Sequence, residues 1–522
     1  MPYQSKFGRP QNLHIGPSAG YRGSGPTISE RALDGIPGCL AWLALVFSII
    51  AAFAFPRTLL LIAALLGFYS AVRFLFAGIA NVMGLRKIKR WEATNWRDRH
   101  RVESTAESLT WESVQHVVII PNYKEPIEIL RRTLDNLASK RLAKTQMNII
   151  LAMEAADSDC TSKAEQLLSE YEGQFHTLYF AVHPRGLPGE MQCKSANQAW
   201  AARWIKRKLV DQLGYNIDHI VVTTMDADTL WHEDYFEALT YLFATNPDRH
   251  LRFWQAPIRY HTNIWDINPL LRIVNAYSTA FELAYLAAPW WIPMPMSSYS
   301  LSLRLLDSSG YWDGDVIADE WHMFIKAYFV REGQVKLDRI FLPFSATAVT
   351  GDTLWQAIVN RYQQTLRHAW GSKEVGYIVA RMIERPDVDF NTSFKLLFRV
   401  AHDILLAGAG WVILTAGSQL PFLMHPGLLG QVLNEGLNNP VYVLLQISFL
   451  LVTILGIVFW FQDVIVRPPR THKQTLMERV WTLLSFPLLP ILTLIFVAIP
   501  VMQAQTRLLI GIPLRFKVSR KT

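Results

Sequence analysis

An α/β domain on a Rossmann-like, mostly parallel sheet, joined to an α-helical transmembrane region, is the fold class this sequence predicts. Two observations carry that expectation. Between about 115 and 390, short apolar runs alternate with amphipathic stretches at the spacing of strand–helix units. On either side lie apolar runs long enough to cross a bilayer, which takes roughly 20 helical residues. Composition agrees: of 522 residues, 51% are hydrophobic and only 18% charged, against about a quarter charged in an ordinary soluble domain. These values exclude a disordered or collagen-like chain and weigh against a purely soluble one. The length allows two or three units at roughly 100–200 residues each.

The membrane elements come first. Residues 38–55 (GCLAWLALVFSIIAAFAF) hold no charge, and about 59–80 form a second apolar run broken only by Arg73. Pro56-Arg57 between them leaves room for a tight hairpin. Three further runs lie at about 397–416, 441–462 and 480–502. The expected organisation is a disordered tail over 1–36, two transmembrane helices over 37–81, and an interfacial linker over 82–114 in which Arg86–Trp96 forms its own helix. A polar domain over 115–390, about three transmembrane helices over 391–503 and a basic tail over 504–522 complete it. A cleaved signal peptide fits poorly, because the first apolar run starts late and a second follows at once.

Sidedness comes from Lys and Arg. Arg86, Lys87, Lys89 and Arg90 follow the second run, and Arg467, Arg470, Lys473 and Arg479 lie between the last two, whereas 417–440 has neither residue type. The positive-inside bias puts the large domain in the cytoplasm. Five crossings would export the tail, so the last run, with Pro487, Pro490 and Pro500, is read as re-entrant, the alternative being an outward-facing tail. The net charge of +8 then points to anionic lipid headgroups and away from nucleic acid. Cys39, Cys160 and Cys193 show neither pairing nor metal-ligand spacing, which suits a reducing compartment.

Within the polar domain, His116–Pro121, Met147–Met153, Thr177–Val182 and Ile217–Met225 read as buried strands, with helices at about 126–139, 161–172 and 194–212 between them. Ligands of such sheets bind beyond the carboxyl ends of the strands, and polar clusters stand there. Pro121-Asn122-Tyr123-Lys124-Glu125 follows the first strand, a stretch containing Asp157 the second, and Asp226-Ala227-Asp228 the fourth. Two carboxylates after an apolar strand suit a hard divalent cation shared with substrate phosphates, although a solvated loop explains a lone pair as well. Asp319-Glu320 precede a helix at about 320–331, as caps or as proton acceptors. Helix 352–370 carries Arg361 and, three residues apart on one face, Gln364 and Arg367, donors suited to phosphate oxygens or to an ordinary helix ion pair. The stretch 268–296 is apolar, aromatic and broken by proline, an interfacial collar or a plain buried helix. Arg399, His402 and Asp403 begin the third span, as functional groups or as snorkelling ones. His183, His232 and His322 read as structural, and Gly186 and Gly189 as a turn.

Together these motifs resemble a membrane-embedded family 2 glycosyltransferase, the clan of cellulose, chitin and hyaluronan synthases, over about 115–375. VVIIPNYKEPIEILRRTLDNL is similar to the nucleotide-binding opening, which would place Tyr123 and Glu125 beside the base, with Asp157 as the clan's first aspartate. GEMQCKSANQAW is similar to the segment whose Lys194 and Asn197 would support diphosphate and ribose. Asp226 and Asp228 match DxD, the metal and nucleotide-sugar site. Gln364 and Arg367 match QxxRW, but His368 stands where its Trp belongs and Trp370 comes two positions late, which puts processive synthesis in doubt. The acidic pair is reversed relative to the clan, so Glu320 by strict alignment, or Asp319 after a one-residue shift, would be the base. Trp321, His368 and Trp370 fall on the acceptor side.

The resemblance implies a cytosolic A-type glycosyltransferase domain and an inverting single displacement with Mg2+ or Mn2+ on Asp226 and Asp228. The implied partners are a nucleotide sugar (UDP-linked favoured), a glycan or lipid-linked acceptor and membrane lipids, with no nucleic acid and no protein partner indicated. The implied setting is a multi-pass protein of a bacterial plasma membrane, active in polysaccharide or cell-envelope synthesis. A non-processive transferase acting on a lipid and an inactive scaffold or transporter of the same fold are the alternatives.

Overall fold

The computed structural model describes residues 30–470 and 472–514; most of the tail expected over 1–36 and the end of the basic tail lie outside them. Nine strands form. β1 (Gln115–Asn122), β2 (Met147–Glu154), β3 (Thr177–His183), β4 (Ile220–Thr224), β5 (Arg252–Gln255), β7 (Tyr299–Ser302) and β8 (Lys336–Arg339) make one sheet, ordered β3-β2-β1-β4-β7-β5-β8. β6 (Ile258–Arg259) and β9 (Phe344–Ser345) pair separately. β1 to β4 run parallel, as do β5 and β8, while β7 is antiparallel to both its neighbours.

The parallel half follows from alternation within apolar runs. Val118 and Ile120 of β1 enter a core with Leu130, Leu134 and Leu137 of helix Ile127–Ala138. Val117 and Ile119 point to the other face, against Ala199 and Ile205 of helix Lys194–Lys206. Successive side chains of a strand leave opposite faces, so a strand covered on both sides is apolar throughout. The second core also takes Leu396, Val400 and Ile404 of helix Phe390–Leu405. Sheet domain and membrane-length helix thus share one apolar core, which sets the domain's orientation.

Among the described residues, five helical stretches are long and apolar enough to cross a membrane: Ala32–Ala54, Pro56–Glu92, Phe390–Met424, Pro440–Val466 and Leu489–Ile510. Their outer faces expose large apolar side chains, Leu43, Phe47, Leu450 and Phe461 among them, a surface that in this density calls for lipid. The second is longer than its apolar run because Arg86–Glu92 continues the same helix. No separate helix begins at Arg86; the break comes at Ala93–Asn95, and Asn95 caps Trp96–Glu103 by accepting from the backbone N–H of Asp98. The last is helical throughout 489–510 without a reversal, and a π turn over Leu494–Ala498 precedes Pro500, which lets a residue without an N–H sit inside a helix. Close approach also asks for small residues: a Cβ on Gly38 would lie 2.4 Å from the Gln505 carbonyl oxygen.

Arg399, His402 and Asp403 are largely buried and paired with one another. Asp403 accepts from Arg73 of the second span at 3.0 Å, pairs with Arg399, and lies 3.0 Å from His402 Nδ1, while Arg399 Nε donates to the Ile292 carbonyl at 3.1 Å. The network ties two spans to the segment after helix Pro269–Ala287. That helix packs against Pro56–Glu92 and Pro440–Val466, so the apolar stretch 268–296 is a buried helix followed by a loop.

Candidate active site

A cleft of about 460 Å3 opens past the carboxyl ends of β1, β2 and β4, where the loops of a doubly wound sheet collect. Small-molecule sites run about 300–1,000 Å3. The loop after β1 supplies Tyr123 and Glu125, the end of β4 Asp226, and the first turn of helix Lys194–Lys206 Lys194 and Asn197. Asp319, Glu320 and Trp321 come from the first turn of helix Asp319–Val330, and Gln364, Arg367 and His368 from helix Leu354–Ala369. Asp157, Asp228 and Trp370 are not among the lining residues.

Each of those three has another place. Asp157 accepts from Lys163 Nζ at 2.6 Å, and the same ammonium reaches the Glu125 carbonyl at 3.5 Å, so Asp157 braces the Tyr123–Glu125 loop from below. Burial opposes its ionisation, but Lys163 and backbone N–H groups hold its pKa below the ordinary carboxylate value. Asp228 is 5% exposed and accepts from the backbone N–H of Thr347 at 2.9 Å, directly behind a wall residue. Trp370 packs with Leu366, Ala504 and Leu514.

An ionic centre occupies the floor. Lys194 Nζ donates to Asp226 Oδ1 at 2.7 Å and to the Ser297 carbonyl at 2.9 Å, and lies 3.7 Å from Glu320. Ser297 Oγ donates to Asp226 Oδ2 at 3.0 Å. Ser297 holds φ at +55° and Lys124, in the opposite loop, at +63°, a left-handed conformation that costs non-glycine residues energy and gathers at functional sites. Burial penalises the Lys194 charge, yet Asp226, Asp319 and Glu320 outweigh it and raise its pKa. Asp319, which accepts from Gln198 Nε2, and Glu320 are both raised, first by burial. For Glu320 the Asp319 charge adds to burial, and together they overcome Lys194. Burial, with Arg367 and Arg361 nearby, lowers His368 to about 4, leaving it neutral at pH 7.

The donor set can be tested against a divalent cation. The Asp226 side chain keeps 31% exposure at the cleft, and Asp228 stands two residues on. Among the described residues no group of three or more His, Cys, Asp or Glu could hold an ion alone. One or two carboxylates that leave the remaining positions to phosphate oxygens and water are the usual arrangement for Mg2+; of this pair only Asp226 faces the cleft, and its oxygens meet Lys194 and Ser297.

Asn122 and Asn197, both named from the sequence, line the cleft, and their Oδ1 atoms are buried without a partner among the described residues. Other wall residues escaped the sequence reading. Ser297 precedes a strand too polar to be recognised. Tyr260 and Glu282 form the membrane side of the wall, with Ile404 of the third membrane-length helix; Glu282 was findable as the only acid in the apolar stretch 268–296. The histidines are held structurally: His183 between Glu154 and Glu190, His322 between Asp313 and Glu374, and His232 3.9 Å from both Glu92 and Asp234.

No family model matches the chain, and no curated protein matches it in sequence. Among solved structures it is similar to the mannosyltransferase PcManGT from Pyrobaculum calidifontis in complex with GDP-Man and Mn2+, at 16% identity and TM-score 0.41, over 76% of this chain and 99% of that one. It is also similar to TarS 1-349 of S. aureus in complex with UDP-GlcNAc, at 12% identity and TM-score 0.29, over 67% and 91%. At these scores the likeness carries no functional argument. Function has to be argued from the cleft.

Proposed function

We propose that this chain is an inverting, metal-dependent membrane glycosyltransferase of the family 2 type. It would move a sugar from a nucleotide sugar, UDP-linked favoured, to a glycan or lipid-linked acceptor at the cytoplasmic face of a bacterial plasma membrane, in polysaccharide or cell-envelope synthesis. One observation carries the reading. Asp226 with Lys194, the raised carboxyl of Glu320, and Gln364 with Arg367 share a single cleft that a membrane-length helix closes.

In this reading the nucleoside lies over Tyr123, Glu125 and the loop braced by Asp157, with Asn197 beside the ribose. The diphosphate lies toward Lys194, Gln364 and Arg367, whose donors bind more strongly as negative charge develops on it. Asp226, backed by Asp228, would hold Mg2+ or Mn2+, which when bound offsets that charge. The acceptor hydroxyl oxygen forms the new bond to the anomeric carbon as the bond to the phosphate oxygen on the opposite side breaks. Its proton passes to Glu320, or to Asp319. The products are the inverted glycoside and the nucleoside diphosphate. Single addition is supported over polymerisation by the wall itself, which presents His368 and not Trp370.

The test uses full-length protein in nanodiscs, a panel of UDP- and GDP-sugars with Mn2+, and nucleotide release as readout. Release with one donor class, lost on chelation, is expected. No binding and no release with any donor would overturn the proposal.

A further inference from the structure

Behind the acidic pair of the cleft runs a chain of buried polar side chains. Gln198, in helix Lys194–Lys206, and Thr224, the last residue of β4, are fully buried, and neither lines the cleft. The Thr224 hydroxyl donates to Gln198 Oε1 at 2.6 Å, and Gln198 Nε2 donates to Asp319 Oδ2. The order of donors is forced. An ionised carboxylate only accepts, so the amide turns its N–H toward Asp319, and its oxygen is left to accept from Thr224.

The chain makes the two carboxyls unequal. Asp319 is 3% exposed and engaged through Oδ2. The Glu320 side chain keeps 24% exposure and meets Lys194 only at 3.7 Å, beyond hydrogen-bond length. The other groups facing the pair are Cys193 and Lys194 at the start of one helix, Asp226 after β4 and the Tyr299 hydroxyl of β7. Arg367 and His368 stand in the same cleft.

We infer that Gln198 is a positioning residue: it engages Asp319 and leaves Glu320 as the group that takes the acceptor's proton. This rests on the glycosyltransferase reading and decides which of its two carboxyls is the base. The proton leaving the acceptor hydroxyl goes to a Glu320 oxygen, while Asp319 keeps its charge against Gln198 and Lys194. A donated N–H favours the ionised form of Asp319, and that charge beside Glu320 makes Glu320 the stronger base.

The experiment uses full-length protein in nanodiscs with Mn2+ and the UDP- or GDP-sugar that wild type turns over fastest, with nucleotide release as readout. It compares kcat, nucleotide-sugar Kd and the pH–rate profile of wild type, Gln198→Met, Thr224→Val, Thr224→Ser and Asp319→Asn. In Gln198→Met, close in size but without the amide, a proton settles on Asp319, and Glu320 ionises at lower pH as a weaker base. The climb of the profile should move about one unit to lower pH and kcat should fall about tenfold, the scale of one hydrogen bond lost from a charged group. Thr224→Val should shift the profile less in the same direction, and Thr224→Ser, which keeps the hydroxyl, should restore it. Asp319→Asn should keep far more transfer than Glu320→Gln, and donor Kd should stay within about twofold throughout. An unmoved profile in a folded Gln198→Met protein overturns the inference. So does Thr224→Ser behaving like Thr224→Val, which decides alone if Gln198→Met does not fold, or a loss in Asp319→Asn as large as in Glu320→Gln. Wild-type protein that binds no nucleotide sugar removes the glycosyltransferase reading itself, whereas normal donor binding with an unmoved profile removes only the role of Gln198.

Discussion

The two halves of the cleft are built differently. The β1–β4 side stands on four parallel strands whose side chains alternate between two apolar cores. Its polar residues sit at strand ends, placed by the sheet. The membrane side is assembled from a buried helix, the loop before β7, helix Leu354–Ala369 and a membrane-length helix, held by contacts between residues far apart in sequence. A sheet edge fixes its functional groups through regular backbone geometry. The other wall depends on how separate elements pack, so its chemistry is open to change without loss of the sheet.

That contrast can be broken or sharpened by substitution. The largest effect is expected for Glu320→Gln: transfer falls about 10²–10⁴-fold, the range for a lost general base, while nucleotide-sugar Kd is unchanged by titration calorimetry. A parallel loss of binding would move Glu320 to the donor side. Arg367→Ala should lower kcat by about 10²–10³-fold, as for one donor removed from developing charge, with a smaller change in KM. The pH profile tests the same wall. Burial and Asp319 raise the Glu320 pKa, and its protonated form cannot accept a proton. The rate should therefore climb with pH through that raised value and flatten above it, and Glu320→Gln should lose the climb. On the opposite side Leu134→Ala, in a fully buried position, should cost about 2–5 kcal/mol, read as a lower melting temperature with donor and acceptor function weakened together. The smallest effect is expected for Arg131→Ala. Its ion pair with Glu170 at 2.7 Å lies at the solvent-screened surface, and thermal stability should barely move.

Legibility follows the same division. β1 to β4 lie within three residues of the runs read from sequence, and the helices between them within about two once the π segment Arg207–Gln212 is joined to Lys194–Lys206, because burial on both faces writes itself as uninterrupted apolar residues. β5, β7 and β8 were not visible. RFWQ, YSLS and KLDR are four residues each, too short for a strand period to stand out. β7 is satisfied by hydroxyls: Ser300 Oγ lies 2.7 Å from Thr223 Oγ1 and 2.9 Å from the Tyr235 hydroxyl. Such pairs leave no trace in a hydropathy pattern. Asp226, Lys194, Glu320 and Arg367 could be named from their motifs, and the resemblance implied that they share a site, but the contacts among them, Lys194 to Asp226 first, could not be read.

The sequence by itself determined the periodicities: apolar runs long enough for a bilayer at both ends, strand–helix units between them, and polar residues at the strand ends. These are local properties, set by the chemistry of neighbours. Only the tertiary structure decided that Asp157 braces a loop, that Asp228 lies behind the wall Asp226 faces, and that Glu282 accepts from Tyr260 at the cleft. Each depends on which buried donor finds which acceptor, and that is settled by packing between elements far apart in the chain.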